Sequence, residues 1–411
     1  MRGEKFLYFY SRIKKIPVIP LLLIIVGLIA ISALLLEQID YIIQFILINF
    51  RLLAIIAVSI VILIQTILSS KNLIGQVTNY ALLASSFLAM LLLLEVGCRV
   101  VAYYNDLNLL ENIGQITRIP EKGEKVFFGQ IIRLSKNPRI IYELVPNLSV
   151  IFQNQPVSTN SYGFRGKIVS LNKSKGSVRI VGIGDSVMFG WGVKDDETYL
   201  ALLSGTLNRQ YSEFIWEVVN TAVPGYNTVM EVETLKEKGI PFNPDIVIIG
   251  YVGNDLDLPN FIRKRENYLS LKKSFIKEFK GKLIHPPEIA DGLMHAPFDR
   301  ETGHFESNPR RVPEQYKAMV GLEAYFSAMK ELQRLSKKYQ FEVLVLSHRS
   351  LPKFVKDICS QLQFDTIEVL PAWKEYASKH RDENPVWQVS KADPHPSPVG
   401  HRVIGDTILK Y

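Results

Sequence analysis

Cysteine is nearly absent from this chain, which contains two among 411 residues. Cys98 lies beside an apolar run and Cys359 in a predicted helix, so we expect no structural disulfide. Cysteine and histidine residues nowhere recur at the spacing of a zinc site. The sequence therefore predicts neither a metal site nor a bound cofactor.

Two nucleotide-binding motifs are missing as well. No G-x-x-x-x-G-K-[ST] segment occurs, which excludes a P-loop. Gly182 and Gly184 follow an apolar segment as they would in a dinucleotide-binding loop, but Val187 occupies the position of the third glycine. The G-x-G-x-x-G fingerprint therefore fails.

Long apolar runs, in contrast, are concentrated in about the first hundred residues. Residues 17–36 form an almost uninterrupted run without charge, long enough to span a bilayer and too long for a signal-peptide core. Two further runs predict spans at 52–69 and 78–97, the former beginning just after Arg51 because a charge is costly at mid-membrane. The sequence therefore predicts a membrane anchor with three transmembrane helices over residues 1–104.

Charge sets the orientation of this anchor. Glu37 and Asp40 follow the first span, whereas basic residues precede it: Arg2, Lys5, Arg12, Lys14 and Lys15. By the positive-inside rule the N-terminus is cytoplasmic, and three crossings place the rest of the chain on the outer side of the cytoplasmic membrane. Glu95 and Arg99 lie four residues apart at the end of the third span, and we expect them to pair.

The net charge is +8, and a second basic segment, 263–282, interleaves lysine and arginine with apolar residues. Two interpretations are open. The segment is either a solvated helix face or an amphipathic element that rests on anionic headgroups or faces an acidic polymer. Nucleic acid is not predicted as a partner, because the domain lies on the outer side of the membrane.

The chain is organised around residues 178–192, which run from an apolar, β-branched segment into Gly184-Asp185-Ser186. Residues 180–183 are typical of a strand buried on both faces of a parallel sheet, and helical spacing resumes over 197–207. Ser186 is thus predicted at a strand-to-helix connection, where open α/β sheets bind ligands and backbone N–H groups face a developing negative charge. The alternative is that Asp185 and Ser186 only form hydrogen bonds within the turn or cap the helix.

Strands and helices alternate after this point. Strands are predicted at 217–220, 245–250, 342–347 and 366–370, helices over 313–339, 353–362 and 398–410, and a long insertion over 256–313. This alternation predicts an α/β domain over 177–411, with a parallel sheet between two layers of helices. Short apolar-to-polar segments predict a small β-rich lead-in over 105–176.

A serine nucleophile needs a base and an acid that orients the base. Asp393 and His395 lie two residues apart, so in an extended segment their side chains project to the same side, and Pro394 and Pro396 stiffen that segment. Asp393 can then hold one ring nitrogen and leave the other for Ser186, as in a catalytic triad. His401 is the rival base, but it falls in the predicted closing helix without a comparable acid, and we interpret it as a packing residue.

Three groups are candidates for stabilising an oxyanion: the amides of Ser186 and Gly225 and the side chain of Asn254. Gly225 follows the second predicted strand and Asn254 the third. Loops after consecutive parallel strands open on the same edge of a sheet, so these groups can converge on Ser186. The alternative for Asn254-Asp255 is a turn or cap pair.

Four blocks of this sequence resemble, in order and spacing, the conserved blocks of the SGNH/GDSL hydrolase superfamily. They are Gly184-Asp185-Ser186, Gly225, Asn254 and Asp393-Pro394-His395. The longer stretch 184–193, followed by Glu197-Thr-Tyr, is similar to a branch of membrane-anchored bacterial envelope proteins. The resemblance covers roughly residues 177–411. Two departures occur: one residue rather than two separates Asp393 from His395, and Val252 stands where a glycine usually precedes the asparagine.

The resemblance implies a flavodoxin-like α/β/α domain with esterase activity. It implies Ser186 as nucleophile, His395 as base and Asp393 as the residue that orients the base. It further implies that Ser186, Gly225 and Asn254 form the oxyanion hole.

Three functions are open at this point. The first is a membrane-anchored serine esterase that removes small acyl groups, such as acetyl, from envelope carbohydrate, with the bilayer and an acylated carbohydrate as partners. The second is an O-acyltransferase that passes the acyl group from Ser186 to a sugar hydroxyl; three spans leave little room for a donor channel, so hydrolysis leads. The third is a catalytically silent glycan-binding or scaffold protein. We expect the insertion 256–313 to decide specificity, because loops at strand ends set it.

Overall fold

The computed structural model describes residues 73–111, 119–264, 268, 270, 274–277, 289–299 and 302–411. The chain clusters into two compact units, Met1–Tyr104 with Leu271–Phe279, and Asn105–Ser270 with Lys280–Tyr411. The predicted spans 17–36 and 52–69 lie outside the described residues, as does most of the basic segment 263–282. The predicted domain boundaries stay a prediction.

The described part of the first unit is dominated by one long helix, α1 (Leu73–Glu111). Within it, the 25 residues Tyr80–Tyr104 are long and apolar enough to cross a membrane, and they are not buried by the rest of the protein. Most of the predicted third span, 78–97, lies in this stretch. Arg99 and Glu95 form an ion pair of 2.8 Å, as their spacing on a helix predicts.

The second unit begins with short strands in the range of the predicted lead-in. They are β1 (Lys125–Val126), β2 (Ile132–Leu134), β3 (Tyr142–Leu144), β4 (Ser149–Phe152) and β5 (Gln155–Ser158). They pair as two small sheets, β1-β4-β5 and β2-β3. Tyr142 and Phe152 are completely buried in the same core as the larger sheet that follows, so the lead-in packs on that sheet as part of one body.

Strands and helices alternate along most of the remaining chain. The strands are β6 (Ser177–Ile183), β7 (Ile215–Asn220), β8 (Ile246–Tyr251), β9 (Phe261–Arg263), β10 (Leu293–His295), β11 (Phe298–Asp299), β12 (His304–Phe305), β13 (Glu342–Ser347), β14 (Asp365–Glu368), β15 (Gln388–Ser390) and β16 (Asp393–Pro396). The helices are α2 (Ser186–Phe189), α3 (Tyr199–Gln210), α4 (Thr228–Thr234), α5 (Gly321–Tyr339), α6 (Lys353–Leu362), α7 (Leu370–Lys379) and α8 (Pro398–Lys410).

Five strands form the central sheet in the order β14-β13-β8-β6-β7, with every neighbouring pair parallel. Counted along the chain, this is the flavodoxin-like order 2-1-3-4-5. The continuous apolar runs predicted as doubly covered strands are buried along almost their whole length in β6, β8 and β13. The predicted flavodoxin-like parallel sheet is therefore confirmed.

The strand order also distributes the helices. The chain moves outward from β6 to β7 and then back past β6 to β8, so right-handed crossovers place α3 on one face of the sheet and α4, α5 and α6 on the other. The proximity of the helices agrees, because α8 lies beside α3 and α7 beside α8, whereas α5 lies beside α4 and α6. The result is three layers with the sheet in the middle.

Two predicted elements differ from the structure. The helix predicted over 313–339 is interrupted: a 3-10 helix (Glu314–Met319) ends at Val320, which is extended, and α5 begins at Gly321 with φ of +81°. The strand predicted at 366–370 ends at Glu368, and Leu370 instead opens α7 with a proline in its first turn. In both places the apolar pattern of the sequence continues past the residue where the backbone changes direction, so the pattern does not show where the element ends.

Candidate active site

The nucleophile turn joins β6 to α2 at the carboxyl edge of the sheet. Ser186 is the first residue of α2, and Asp185 caps that helix by accepting a 2.9 Å hydrogen bond from the N–H of Val187. A Cβ on Gly184 would lie 2.8 Å from the Cβ of Met188, so only glycine lets the helix start this close to the strand. The capping role that the sequence left open for this pair falls to Asp185, which leaves the Ser186 hydroxyl free to face another group.

That group is His395. The Oγ of Ser186 lies 2.8 Å from Nε2 of His395, and Nδ1 of His395 lies 2.6 Å from Oδ1 of Asp393. Asp393 and His395 lie in β16, which pairs with β15 as an antiparallel ribbon and projects both side chains to the same side. The structure thus joins the three predicted residues in one continuous line of hydrogen bonds. With only one residue between them, Asp393 and His395 can still form the hydrogen bond that this line requires.

The direction of each hydrogen bond follows from charge. An ionised Asp393 can only accept, so the ring proton of His395 lies on Nδ1 and Nε2 accepts the hydroxyl hydrogen of Ser186. Asp185 offers a second acceptor, with Oδ2 at 3.1 Å from the same Oγ. Burial raises the pKa of Asp185, and in its neutral form this carboxyl can donate to Oγ and leave the hydroxyl hydrogen for His395.

Trp191 completes the surroundings of the histidine and was not singled out in the sequence. Its Nε1–H donates to Oδ2 of Asp393 over 3.0 Å. Its ring stacks on the imidazole of His395, with the ring centroids 5.1 Å apart and the planes 18° from parallel. No local pattern links residues 202 positions apart, so only the folded chain reveals this contact.

The loop that carries Gly225 is tied to the nucleophile turn. The N–H of Val223 donates to the carbonyl of Gly184 over 3.1 Å, and the hydroxyl of Tyr142 in the lead-in donates to the carbonyl of Pro224 over 3.0 Å. Gly225 has φ of +74°, and a Cβ there would lie 2.4 Å from Cγ of Asn260, so this position requires glycine. One backbone hydrogen bond thus holds the Gly225 loop beside the nucleophile turn, and the Tyr142 hydroxyl holds the same loop from the lead-in.

Asn254 follows β8, and β8 pairs directly with β6, with Ile249 opposite Ile183. The two loops therefore leave the sheet at the same edge. The Oδ1 of Asn254 is buried and has no hydrogen-bond partner within the described ranges. Its neighbour Asp255 takes the turn-forming role, since its Oδ2 accepts from the N–H of Val252 over 2.9 Å. Neither Asn254 nor Gly225 hydrogen-bonds Ser186 in the part of the chain that the structure describes.

His401, the rival base, lies in α8 and is completely buried. Its Nδ1 accepts a hydrogen bond from the N–H of Tyr199 over 3.2 Å, and its ring stacks on that tyrosine. Its Nε2 has no partner among the residues described. Burial lowers the pKa of His401 to about 3, so it stays neutral and packs, as the sequence predicts.

A buried acidic cluster lies close to the nucleophile turn and was also missed in the sequence. It comprises Asp185, Glu231 of α4 and Asp255, each at most 2% exposed. Burial raises the pKa of all three. The charge of Asp185 raises the pKa of Asp255 further, and the charges of Asp255 and Asp185 raise that of Glu231. Both carboxyl oxygens of Glu231 lack a hydrogen-bond partner within the described chain, which favours the neutral acid. No group of histidine, cysteine and acidic residues in the described ranges has the arrangement of a metal site.

No family model matches the sequence, and no curated protein matches it. Among solved structures, it is similar to the acetylxylan esterase Axe2 of Geobacillus stearothermophilus, with 16% identity and a TM-score of 0.34 over 58% of this chain and 95% of that one. LAE5, an alpha/beta hydrolase enzyme from the metagenome of Lake Arreo, matches with 16% identity and a TM-score of 0.35 over 57% and 94%. The acetyl xylan esterase AlAXEase matches with 14% identity and a TM-score of 0.33 over 57% and 98%.

Proposed function

We propose that this chain is a serine esterase that cleaves small acyl esters through an acyl-Ser186 intermediate. One observation carries the proposal: Ser186, His395 and Asp393 form a continuous line, with distances of 2.8 Å and 2.6 Å between the reacting atoms. A hydroxyl, an imidazole and a carboxylate in this order are the parts that nucleophilic acyl transfer requires.

In the first half of the reaction, Oγ of Ser186 attacks the carbonyl carbon of the ester while its hydrogen passes to Nε2 of His395. Asp393 holds Nδ1–H and stabilises the imidazolium that forms. His395 then gives the proton to the departing alcohol oxygen, the ester C–O bond breaks and the acyl group stays on Ser186. In the second half, water attacks the acyl carbon while one of its protons passes to Nε2 of His395. His395 then returns this proton to Oγ of Ser186 as the acyl–Oγ bond breaks, and the carboxylic acid is released.

The tetrahedral intermediate carries negative charge on the former carbonyl oxygen. We assign its stabilisation to the N–H groups of Ser186 and Gly225 and to the side-chain amide of Asn254. Support comes from the hydrogen bond that ties the Gly225 loop to the nucleophile turn and from the pairing of β6 with β8, which brings the Asn254 loop to the same edge. Donors held in place before the reaction stabilise such an oxyanion without reorganisation.

The membrane location and the substrate are part of the same proposal. Support for anchoring comes from Tyr80–Tyr104, whose apolar side chains, such as Leu88 at 59% and Leu93 at 74%, are exposed to the surroundings as a lipid-facing helix requires. Three spans with the N-terminus in the cytoplasm place the site outside the cytoplasmic membrane. The sequence resemblance to envelope proteins favours acetyl esters of envelope carbohydrate as substrate.

The test is covalent labelling of the full-length, detergent-solubilised chain by a fluorophosphonate, followed by mass spectrometry of the labelled peptide. We expect labelling at Ser186 that is lost in Ser186→Ala and retained in the matched control Ser378→Ala, an exposed serine of α7. Folded protein that does not label contradicts the proposal and favours a silent binding module. If the protein labels, incubation of unlabelled protein from the same preparation with p-nitrophenyl acetate and a sugar acceptor distinguishes acetate release, as we propose, from transfer to the sugar.

A further inference from the structure

The acid of the triad is held from two sides. Oδ1 of Asp393 accepts both the backbone N–H of His395, over 3.1 Å, and the ring Nδ1–H, at 2.6 Å. Its second oxygen, Oδ2, accepts only the indole N–H of Trp191 within the described residues. A carboxylate rotates easily about its last side-chain bond, because that torsion has broad minima. The indole donor therefore fixes the plane in which Asp393 meets His395.

Trp191 is itself rigidly placed. Its ring packs edge-to-face against Phe152 of β4, at 4.8 Å between centroids, and against Phe128, at 5.9 Å. Its backbone N–H donates to the carbonyl of Ser186 over 3.0 Å, so the turn that carries the nucleophile also carries the indole. The lead-in and the central sheet both contribute to this support.

The loop around the indole has little freedom to move. Gly190 and Gly192 flank Trp191 with φ of +89° and +78°. A Cβ on Gly192 would lie 2.9 Å from Cγ2 of Val389 in β15, so the loop packs closely on the ribbon that carries Asp393 and His395. Arg165, buried beneath it, donates to the carbonyls of Phe189, over 2.7 Å, and Val193, over 2.5 Å. Trp191 thus connects the nucleophile turn to the acid and base through fixed backbone.

The face of the indole has a second consequence. Its plane lies 18° from that of His395, with 5.1 Å between centroids. When His395 takes the proton from Ser186 it becomes a cation against an aromatic face, which attracts it. The same ring therefore acts on the acid through its N–H and on the base through its π face.

From this arrangement we infer that Trp191 is a positioning residue of the proposed esterase, which orients the Asp393 carboxylate toward His395 and supports the imidazolium formed on proton transfer. The inference rests on the proposed function. It adds to the triad a residue from the nucleophile turn itself, in a chain where the acid and base are only two positions apart.

The experiment compares Trp191→Phe, which keeps an aromatic face and loses the donor, with Trp191→Leu, which loses both. Steady-state kinetics on p-nitrophenyl acetate are measured with the full-length chain in detergent. We expect Trp191→Phe to lower kcat about 10- to 100-fold with KM within about twofold, because one hydrogen bond to a charged group is lost. We expect Trp191→Leu to lower kcat a further two- to fivefold, roughly the contribution of an aromatic face to a cation.

A double-mutant cycle separates positioning from mere packing. If Trp191 acts through Asp393, Trp191→Phe has little further effect on the rate of Ser186 labelling in an Asp393→Ala background, whereas a packing defect lowers that rate equally in both backgrounds. The matched control is Trp216→Phe in β7, where the Nε1–H of Trp216 donates to the carbonyl of Tyr211 over 3.3 Å, and this variant should keep the wild-type kcat. If Trp191→Phe does not recover the wild-type circular dichroism spectrum, Trp191→Leu takes its place, and its loss in the Asp393→Ala background should then be only the two- to fivefold that the aromatic face accounts for.

The outcomes distinguish this inference from the function beneath it. An active wild type with an unchanged kcat in Trp191→Phe, or with equal losses in both backgrounds of the cycle, overturns the role of Trp191 and leaves the esterase standing. A wild type that neither labels nor hydrolyses overturns both. A loss confined to kcat and absent in the Asp393→Ala background supports the inference.

Discussion

Two histidines of one short segment, His395 in β16 and His401 in α8, have opposite surroundings. The His395 side chain is 22% exposed, with a carboxylate at Nδ1 and a hydroxyl at Nε2. His401 is fully buried, accepts from a backbone N–H and has no partner for Nε2 among the described residues. A ring with an acid behind it can take up a proton, whereas burial without an acid lowers the pKa of His401 to about 3.

The contrast shows that the element that carries a histidine decides what it can do. In the extended strand, every second residue points the same way, so Asp393 lies beside His395. In helix α8, the ring of His401 instead points into the layer between α8 and α3, where it stacks on Tyr199 at 5.6 Å. His401 therefore packs two helices together, whereas His395 can carry a proton.

The largest effect that tests this contrast is on turnover. We expect His395→Ala to lower kcat by about 10⁴- to 10⁶-fold, because the base and proton donor are both lost. His401→Asn, which keeps an acceptor for the N–H of Tyr199, should retain most of its kcat at pH 8. Hydrolysis of p-nitrophenyl acetate by both variants measures this, and comparable losses in the two would contradict the assignment of the base.

The next largest effect concerns the acid. In Asp393→Asn, an amide that presents N–H toward the ring forces the proton of His395 onto Nε2, where it can no longer accept from Ser186. We expect kcat to fall by about 10⁴-fold through this change of tautomer. Asp382→Asn, in the exposed 3-10 turn Arg381–Glu383, is a control without such an effect. A variant that keeps wild-type turnover would remove Asp393 from the mechanism.

The buried histidine should reveal itself in stability. Burial lowers the pKa of His401 from 6.5 to about 3, below its value in the unfolded chain. Between these values the unfolded chain binds the proton and the folded one does not, so the free energy of unfolding falls as pH drops from about 6.5 toward 3. Each pH unit in that window costs at most about 1.4 kcal/mol. His401→Asn removes this titration and should flatten the slope.

Denaturant titration of the full-length chain at several pH values measures that slope. All four tryptophans, Trp191, Trp216, Trp373 and Trp387, lie in the second compact unit, so intrinsic fluorescence reports on it. His348, whose pKa burial lowers to about 4, keeps part of the slope in every variant. An equal slope in His401→Asn and the wild type would contradict the prediction.

Much of the fold could be predicted because its signals are local. The strand 342–347 and the helices 353–362 and 398–410 coincide with β13, α6 and α8, since runs buried on both faces and helical periodicity are read directly from neighbouring residues. Ser186, Asp393 and His395 could be proposed for a similar reason, because a strand-to-helix turn and a two-residue spacing fix where these side chains point. Their meeting is observed, and their catalytic roles stay a proposal.

What could not be predicted depends on contacts between distant residues. The break before Gly321 is invisible in the apolar pattern, because a φ of +81° leaves no mark in it. A Cβ at this position would also lie 3.2 Å from Cγ of Pro309, a residue outside the helix. Trp191 looks like one more apolar residue until β16 supplies its acceptor. Glu231 looks like an ordinary polar position in an amphipathic helix, yet it is 1% exposed.

Glu231 gives a second prediction for stability, opposite in sign to that of His401. Burial, with Asp255 and Asp185 nearby, raises the pKa of Glu231 well above its usual 4.5. The folded chain then keeps a proton that the unfolded chain has lost, so its contribution to the free energy of unfolding falls as pH rises from about 4.5 through the folded-state pKa. Glu231→Gln keeps the shape of the neutral acid and removes this loss.

The free energy of unfolding of Glu231→Gln relative to the wild type should therefore increase with pH, by at most about 1.4 kcal/mol per pH unit. For His401→Asn the corresponding difference increases as pH falls. Glu233→Gln on the same helix is the matched control, since Glu233 pairs with Lys236 and Arg139 at 3.4 Å and 3.6 Å. Fluorescence-monitored denaturation between pH 6 and 9 measures the free energy of unfolding of each variant. Parallel curves for Glu231→Gln and the wild type would mean that the fold holds Glu231 as an anion, although both of its carboxyl oxygens lack a hydrogen-bond partner among the described residues.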